Sequence, residues 1–132
     1  MQLVLTESHR NILSKLSKDL SPNESCAILF GKTENDKLVV QELYIADNKE
    51  ESPVNFTISN EQLILGYQEA EKKNLEVIGI FHSHPSSEPY PSETDKKFMK
   101  INPVTWVIFS CLTNNFKAYI LESDINEIPV VT

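Results

Sequence analysis

The chain reads as an α/β domain in which a mixed sheet is flanked by helices, and three observations lead there. Segments with helical spacing alternate with short β-branched or aromatic runs, giving three helices among about seven strands. Several of those runs are joined by short turn-rich connections of hairpin type. A chain of 132 residues is expected to form one domain spanning 1–132 that buries a core without staples.

The elements follow in order. Leu3 to Leu5 make an opening strand, and Thr6 caps a helix to about Leu20 with Ile12, Leu13, Leu16 and Leu20 on its apolar face. His9, in the first turn away from those positions, is expected in solvent. Ser21-Pro22-Asn23 breaks the helix and leads into a strand from Ser25 to Phe30, with Glu24 at its mouth. Gly31 to Asp36 is polar and turn-like, Lys37 to Ile45 is a long strand, and the charged run Asp47 to Pro53 reads as a solvated loop. Asn55 to Ile58 is expected to pair briefly. Ser59-x-x-Gln62 is a capping-box pattern opening a helix with Leu63, Ile64, Tyr67 and Ala70 on one face, stopped at Asn74. Thr105 to Cys111, Phe116 to Leu121 and Ile128 to Val131 supply the remaining strands, with Thr113-Asn114-Asn115 as a turn.

The chemistry is concentrated in Gly79-Ile80-Phe81-His82-Ser83-His84-Pro85 and, after a short loop, Ser92-Glu93-Thr94-Asp95. The run from Val77 to Phe81 is of strand type. Side chains on a strand repeat every second residue, so His82 and His84 leave one face, and Ser83 leaves the other in a structural role. Pro85 and Pro91 stiffen the loop that brings Asp95 back. Two imidazoles and a carboxylate make a candidate Zn²⁺ triad with one position open, a catalytic rather than a closed structural arrangement. The same Ser92-x-x-Asp95 is also a helix N-cap with an acidic third residue, and the two readings are compatible. An open-sided set of two His and one carboxylate also suits non-haem iron.

His82-Ser83-His84, seven intervening residues, then Ser92 and Asp95, together with Glu24 in Ser21-Pro22-Asn23-Glu24-Ser25-Cys26-Ala27-Ile28-Leu29-Phe30-Gly31, resembles the JAMM (MPN-plus) metalloprotease family from about Leu3 to Leu121. Many relatives carry Gly where this chain has Ala27. The resemblance implies a strongly curved mixed sheet packed with helices, the cytidine-deaminase-like MPN/JAB fold, with the site at the sheet edge. It implies Zn²⁺ held by His82, His84 and Asp95. Glu24 would then be the residue that takes a proton from water and passes it to the leaving amine, with Ser92 as oxyanion donor provided that capping leaves its hydroxyl free. The implied reaction is hydrolysis after the carboxyl-terminal glycine tail of ubiquitin or a ubiquitin-like protein. A hydrolase serving a sulfur-carrier protein is the variant within that class, and a non-catalytic MPN scaffold, which typically lacks part of this residue set, is the alternative outside it. The short loop from Asp47 to Asn55 leaves little surface for a globular modifier, so recognition is expected to rest on an extended tail beside an exposed strand.

Composition narrows the classes further. A net charge of −7 with no basic stripe argues against nucleic acid. No apolar run approaches the ~18 residues of a membrane span, so the expectation is a cytoplasmic protein, a monomer or weak homodimer, without a membrane partner. Cys26 and Cys111 lie in apolar segments and are expected as free thiols without catalytic character, although a disulfide remains open if their strands are neighbours.

Overall fold

A computed structural model describes residues 1–132. The elements run β1 (Gln2–Val4), α1 (Glu7–Leu20), β2 (Cys26–Glu34), β3 (Lys37–Ala46), α2 (Asn60–Lys72), β4 (Glu76–His84), α3 (Glu93–Ile101), β5 (Thr105–Ser110), β6 (Asn115–Leu121), β7 (Ile125–Ile128) and β8 (Val130–Val131). All eight strands join one sheet in the order β7-β6-β5-β4-β2-β3-β1-β8. The sheet is mixed: β4 runs parallel to β5, β1 runs parallel to β3 and β8, and the other pairs are antiparallel. No helix is long and apolar enough to cross a membrane.

Alternation along the strands divides the core in two. One face carries Leu29, Phe81, Val107 and Phe109 beneath Leu13 of α1. The other carries Ile28, Phe30, Ile80, Trp106 and Ile108 beneath Ala70 of α2 and Met99 of α3. Since β4 keeps its alternation to the end, His82 and His84 emerge on the α2/α3 face and Ser83 on the α1 face.

Each helix begins at the residue whose side chain satisfies an otherwise orphaned amide: Thr6 for His9, Ser59 for Gln62, and Ser92 for Asp95. The buried faces agree with expectation at Leu13 and Ala70 and differ at other positions. In α1 the buried residues are Leu13 and Ser17, whereas Ile12 and Leu20 are exposed. In α2, Ile64 and Tyr67 are exposed and Gly66 and Ala70 lie inside. The cause is a close approach of helix to sheet, for a Cβ on Gly66 would lie 2.7 Å from Ile28 Cδ1. Small residues therefore mark the inward face.

Four further expectations are corrected. Residues 31–34 continue β2, and the turn is only Asn35-Asp36, both with positive φ (47° and 64°), as a two-residue hairpin turn requires. Residues 55–58 pair with no strand, although Phe56 and Ile58 are buried. The last predicted strand is divided at Pro129, which has no amide hydrogen for a ladder, into β7 and β8. His9 is half-buried, with Nδ1 enclosed and unpartnered, and burial lowers its pKa. Cys26 and Cys111 are both free, as expected. Burial pushes the Cys26 thiol up to about 12, which leaves it inert as a nucleophile.

Candidate metal centre

The sequence-predicted triad comes together at the carboxyl end of β4. His82 Nε2 lies 3.1 Å from His84 Nε2, and Asp95 Oδ2 lies 3.0 Å from the first and 3.1 Å from the second. Bonds of ~2.0–2.1 Å to a tetrahedral ion would set ligand atoms about 3.3 Å apart, so this triangle is close to one face of such a shell. All three residues are buried.

The three groups shift one another's protonation. Burial opposes ionisation of Asp95, but hydrogen bonds from His82 and His84 outweigh it and hold the carboxyl well below its ordinary value. Burial lowers the pKa of His82 and keeps it neutral. For His84 burial also acts downward, yet the contacts with Asp95 and the Glu88 carbonyl prevail and raise it. His84 Nδ1 must donate to the carbonyl oxygen of Glu88, 2.7 Å away, which turns the Nε2 lone pair of the neutral ring towards the other two ligand atoms. An ion in place of the protons between these atoms would meet two ring nitrogens and a carboxylate oxygen, the donor set of a borderline divalent ion.

Two elements deliver Asp95. Ser92 Oγ accepts the Asp95 amide at 3.1 Å, and the Ser92 amide donates to Asp95 Oδ2 at 2.8 Å, a reciprocal capping box that starts α3. The preceding loop is tied down by three successive carbonyls: Ser87 O accepts from Ser110 Oγ (2.6 Å), Glu88 O from His84 Nδ1 (2.7 Å), and Pro89 O from the Tyr119 hydroxyl (2.6 Å). The cap is formed and leaves Asp95 Oδ2 beside both imidazoles, so capping does not remove it from the candidate triad. Because Ser92 Oγ acts as acceptor in the cap, its own O–H remains free to donate.

The His82 ring is oriented by packing. Its Nδ1 has no hydrogen-bond partner, while Phe56 stacks on it with centroids 4.6 Å apart and Trp106 meets it edge-on at 5.9 Å. Ser83, on the opposite face, accepts from the Ser25 amide (2.8 Å) and the Ser25 hydroxyl (2.9 Å), and Ser25 in turn meets Ser17 at 3.2 Å. This wholly buried chain of hydroxyls ties the end of β4 to the mouth of β2 beneath α1.

Glu24 lies at that mouth, 4 % exposed, with Oε1 unpartnered. Burial pushes its pKa up to about 8, against a smaller opposing pull from His84. The charged run from Asp47 to Pro53 is largely exposed, as expected, but Asn48 and Ser52 within it bond to the Glu24 main chain, and Phe56 and Ile58 just beyond it are buried. Asn48, Phe56 and the serines at 17 and 25 are the site-shaping residues that sequence reasoning missed. The buried polar partners of Ser83 carry no local signature, since their contacts span up to 58 positions.

A family model described as prokaryotic homologs of the JAB domain matches residues 6–121. Over 124 residues the chain is 41% identical to a protein named desampylase from Pyrococcus furiosus, covering 92% of this chain and 84% of that one. It is 29% identical over 90 residues to a CysO-cysteine peptidase of Mycobacterium tuberculosis, covering 67% of this chain and 60% of the relative. Among solved structures, a protein from Desulfitobacterium hafniense superposes with a TM-score of 0.87 at 23% identity, over 99% of this chain and 92% of that one. A JAB1/MPN domain protein from Archaeoglobus fulgidus does so with a TM-score of 0.62 at 22% identity, over 100% of both. These likenesses bear out the curved mixed sheet with flanking helices. With a family match over nearly the whole chain and a closely similar fold, the chain belongs to the prokaryotic JAB family, the small JAMM/MPN branch that its His-x-His and Ser-x-x-Asp strings resemble.

Proposed function

We propose that this chain is a zinc-dependent hydrolase that cuts the bond after the carboxyl-terminal glycine tail of a ubiquitin-like modifier or a sulfur-carrier protein. The observation that carries the reading is the convergence of His82 Nε2, His84 Nε2 and Asp95 Oδ2 within 3.0–3.1 Å, beside a buried Glu24 whose carboxyl has an unpartnered oxygen. Similarity to proteins named desampylase and CysO-cysteine peptidase supports the substrate class.

His82, His84 and Asp95 would hold the ion, which when bound supplies Lewis acidity and a water of lowered pKa. Glu24 is the proton carrier. Its pKa of about 8 lies close to neutral, where a carboxylate can take a proton from water and return it to a departing amine. The free Ser92 O–H donates to the developing oxyanion of the scissile carbonyl. Phe56 and Trp106 enclose His82 and exclude bulk water from the ligand side, which strengthens each of these interactions.

The test uses zinc-loaded protein and fusions in which a ubiquitin-like protein or sulfur carrier ending in Gly-Gly precedes a reporter. Mass spectrometry should place the cut after the second glycine, and a Gly→Val change at that residue should abolish it by crowding the approach to the ligand triangle. Equal cleavage of the valine fusion would mean that the site accepts ordinary peptides and that the modifier-tail reading is wrong.

A further inference from the structure

Glu24 stands outside the β2–β4 ladder, whose first pair is Cys26 with His82. Its two main-chain hydrogen bonds both run to the segment from 47 to 58. The Glu24 amide donates to Ser52 O at 2.8 Å, and its carbonyl accepts from Asn48 Nδ2 at 3.1 Å. No side-chain partner holds its carboxyl oxygen Oε1. That segment therefore holds the Glu24 main chain from one side, while Ser25, tied to Ser83, holds it from the other.

Asn48 is the centre of the segment. Besides the Glu24 carbonyl, Nδ2 donates to Asn55 O at 3.0 Å, while Oδ1 accepts the amides of Glu50 at 3.0 Å and Thr57 at 3.1 Å. Both N–H groups and both lone pairs of the carboxamide are used. Asn55 and Thr57 flank Phe56, whose ring lies 4.6 Å from that of His82. One carboxamide thus joins the main chain of Glu24 to the ring that covers a candidate ligand.

We propose that Asn48 is a positioning residue for the reaction, fixing Glu24 and seating Phe56 on His82 through its four hydrogen bonds. This rests on the reading of Glu24 as proton carrier. Only a carboxamide of this length meets all four partners. An aspartate keeps the two acceptor bonds but turns lone pairs towards the carbonyls of Glu24 and Asn55, and an alanine keeps none. Displacing a proton-transfer group by ~1 Å can cost on the order of 10²-fold in rate.

The experiment compares Asn48→Asp and Asn48→Ala, each alone and combined with Glu24→Gln. Zinc stoichiometry should match the parent, kcat should fall about 10- to 100-fold, and KM should move by less than about threefold. Adding Asn48→Ala to Glu24→Gln should bring no further loss, since residues that act as a unit are not additive. Independently of turnover, the Glu24 amide should exchange with deuterium about tenfold faster in both single variants, while the amides of Cys26 to Phe30 keep their protection. Trp106, the one tryptophan, has its ring 5.9 Å from those of both Phe56 and His82, so its emission should shift as well. Additive losses in the combined variant, or unchanged exchange at Glu24, would overturn the role of Asn48 alone. Parent-like turnover of Glu24→Gln is a separate failure that removes the proton-carrier reading and this inference with it. Should Asn48→Ala not fold, Asn48→Asp carries the same measurements.

Discussion

Two irregular segments flank the candidate site, and they are held by opposite means. Residues 85–91 are pinned from below by donors on β4, β5 and β6, so the placement of Ser92 and Asp95 is inherited from the sheet. Residues 47–58 are held mainly by their own Asn48 and Ser52, with Phe56 and Ile58 as apolar anchors. The first segment shares the rigidity of the strands, whereas the second depends on its own side chains, on two bonds to the Glu24 main chain and on the burial of Phe56 and Ile58. The contrast teaches that the two sides of the candidate site rest on different supports, which meet where Phe56 stacks on His82.

The sharpest test of that contrast pairs Asp95→Ala with Glu24→Gln. Removing Asp95 should take bound zinc from about one ion per chain to none by elemental analysis, because two imidazoles alone make an incomplete set. The glutamine variant should keep its zinc and lose ~10² to 10⁴ in turnover, since it retains shape but cannot carry a proton. Zinc loss in both variants would collapse the distinction.

A smaller effect is expected from Tyr119→Phe. It leaves the Pro89 carbonyl without its hydroxyl partner and loosens the sheet-held segment one step away from the ligands. Zinc affinity should fall by about tenfold or less, below the range seen when a direct partner of a ligand is removed. Competition with a chromogenic chelator measures it, and an unchanged affinity would mean that the three carbonyl ties are redundant.

The smallest effect concerns stability in the chelator-treated protein. In the folded chain Glu24 keeps its proton up to about pH 8, against an ordinary value of 4.5. Between those values folding takes up a proton, so this residue lowers stability progressively as pH rises, with no penalty below the lower value and the full penalty above the upper one. Glu24→Gln has no such term. Its advantage in Tm should be absent near pH 4 and grow steadily to about pH 8, read by thermal denaturation. A gap independent of pH would show that Glu24 does not titrate with folding.

The ligand half of the site was legible in the sequence because its geometry is local. His-x-His on a strand dictates a shared face, and Ser92-x-x-Asp95 dictates a cap whose carboxylate returns to the same point. The covering half was not, since Asn48 reaches the Glu24 carbonyl across 24 positions and no local pattern announces it. The charged residues around Asn48 do face solvent, and they mask the one polar side chain that does not. The helix faces were misjudged for a related reason. Ala70 is inside as its spacing implies, but weight on large apolar residues favours Ile64 and Tyr67 where contact distance with the sheet selects Gly66.

The β2–β3 hairpin reaches away from all of this. Its exposed tip at Asn35-Asp36 closes nine residues beyond Cys26, about 30 Å along the strand at ~3.3 Å per residue. Lengthening a surface turn adds little closure entropy, only about 0.6 kcal/mol for each doubling. The hairpin is therefore a natural attachment point, where a recognition module, an affinity handle or a fluorophore can be grafted at a distance from the candidate metal centre.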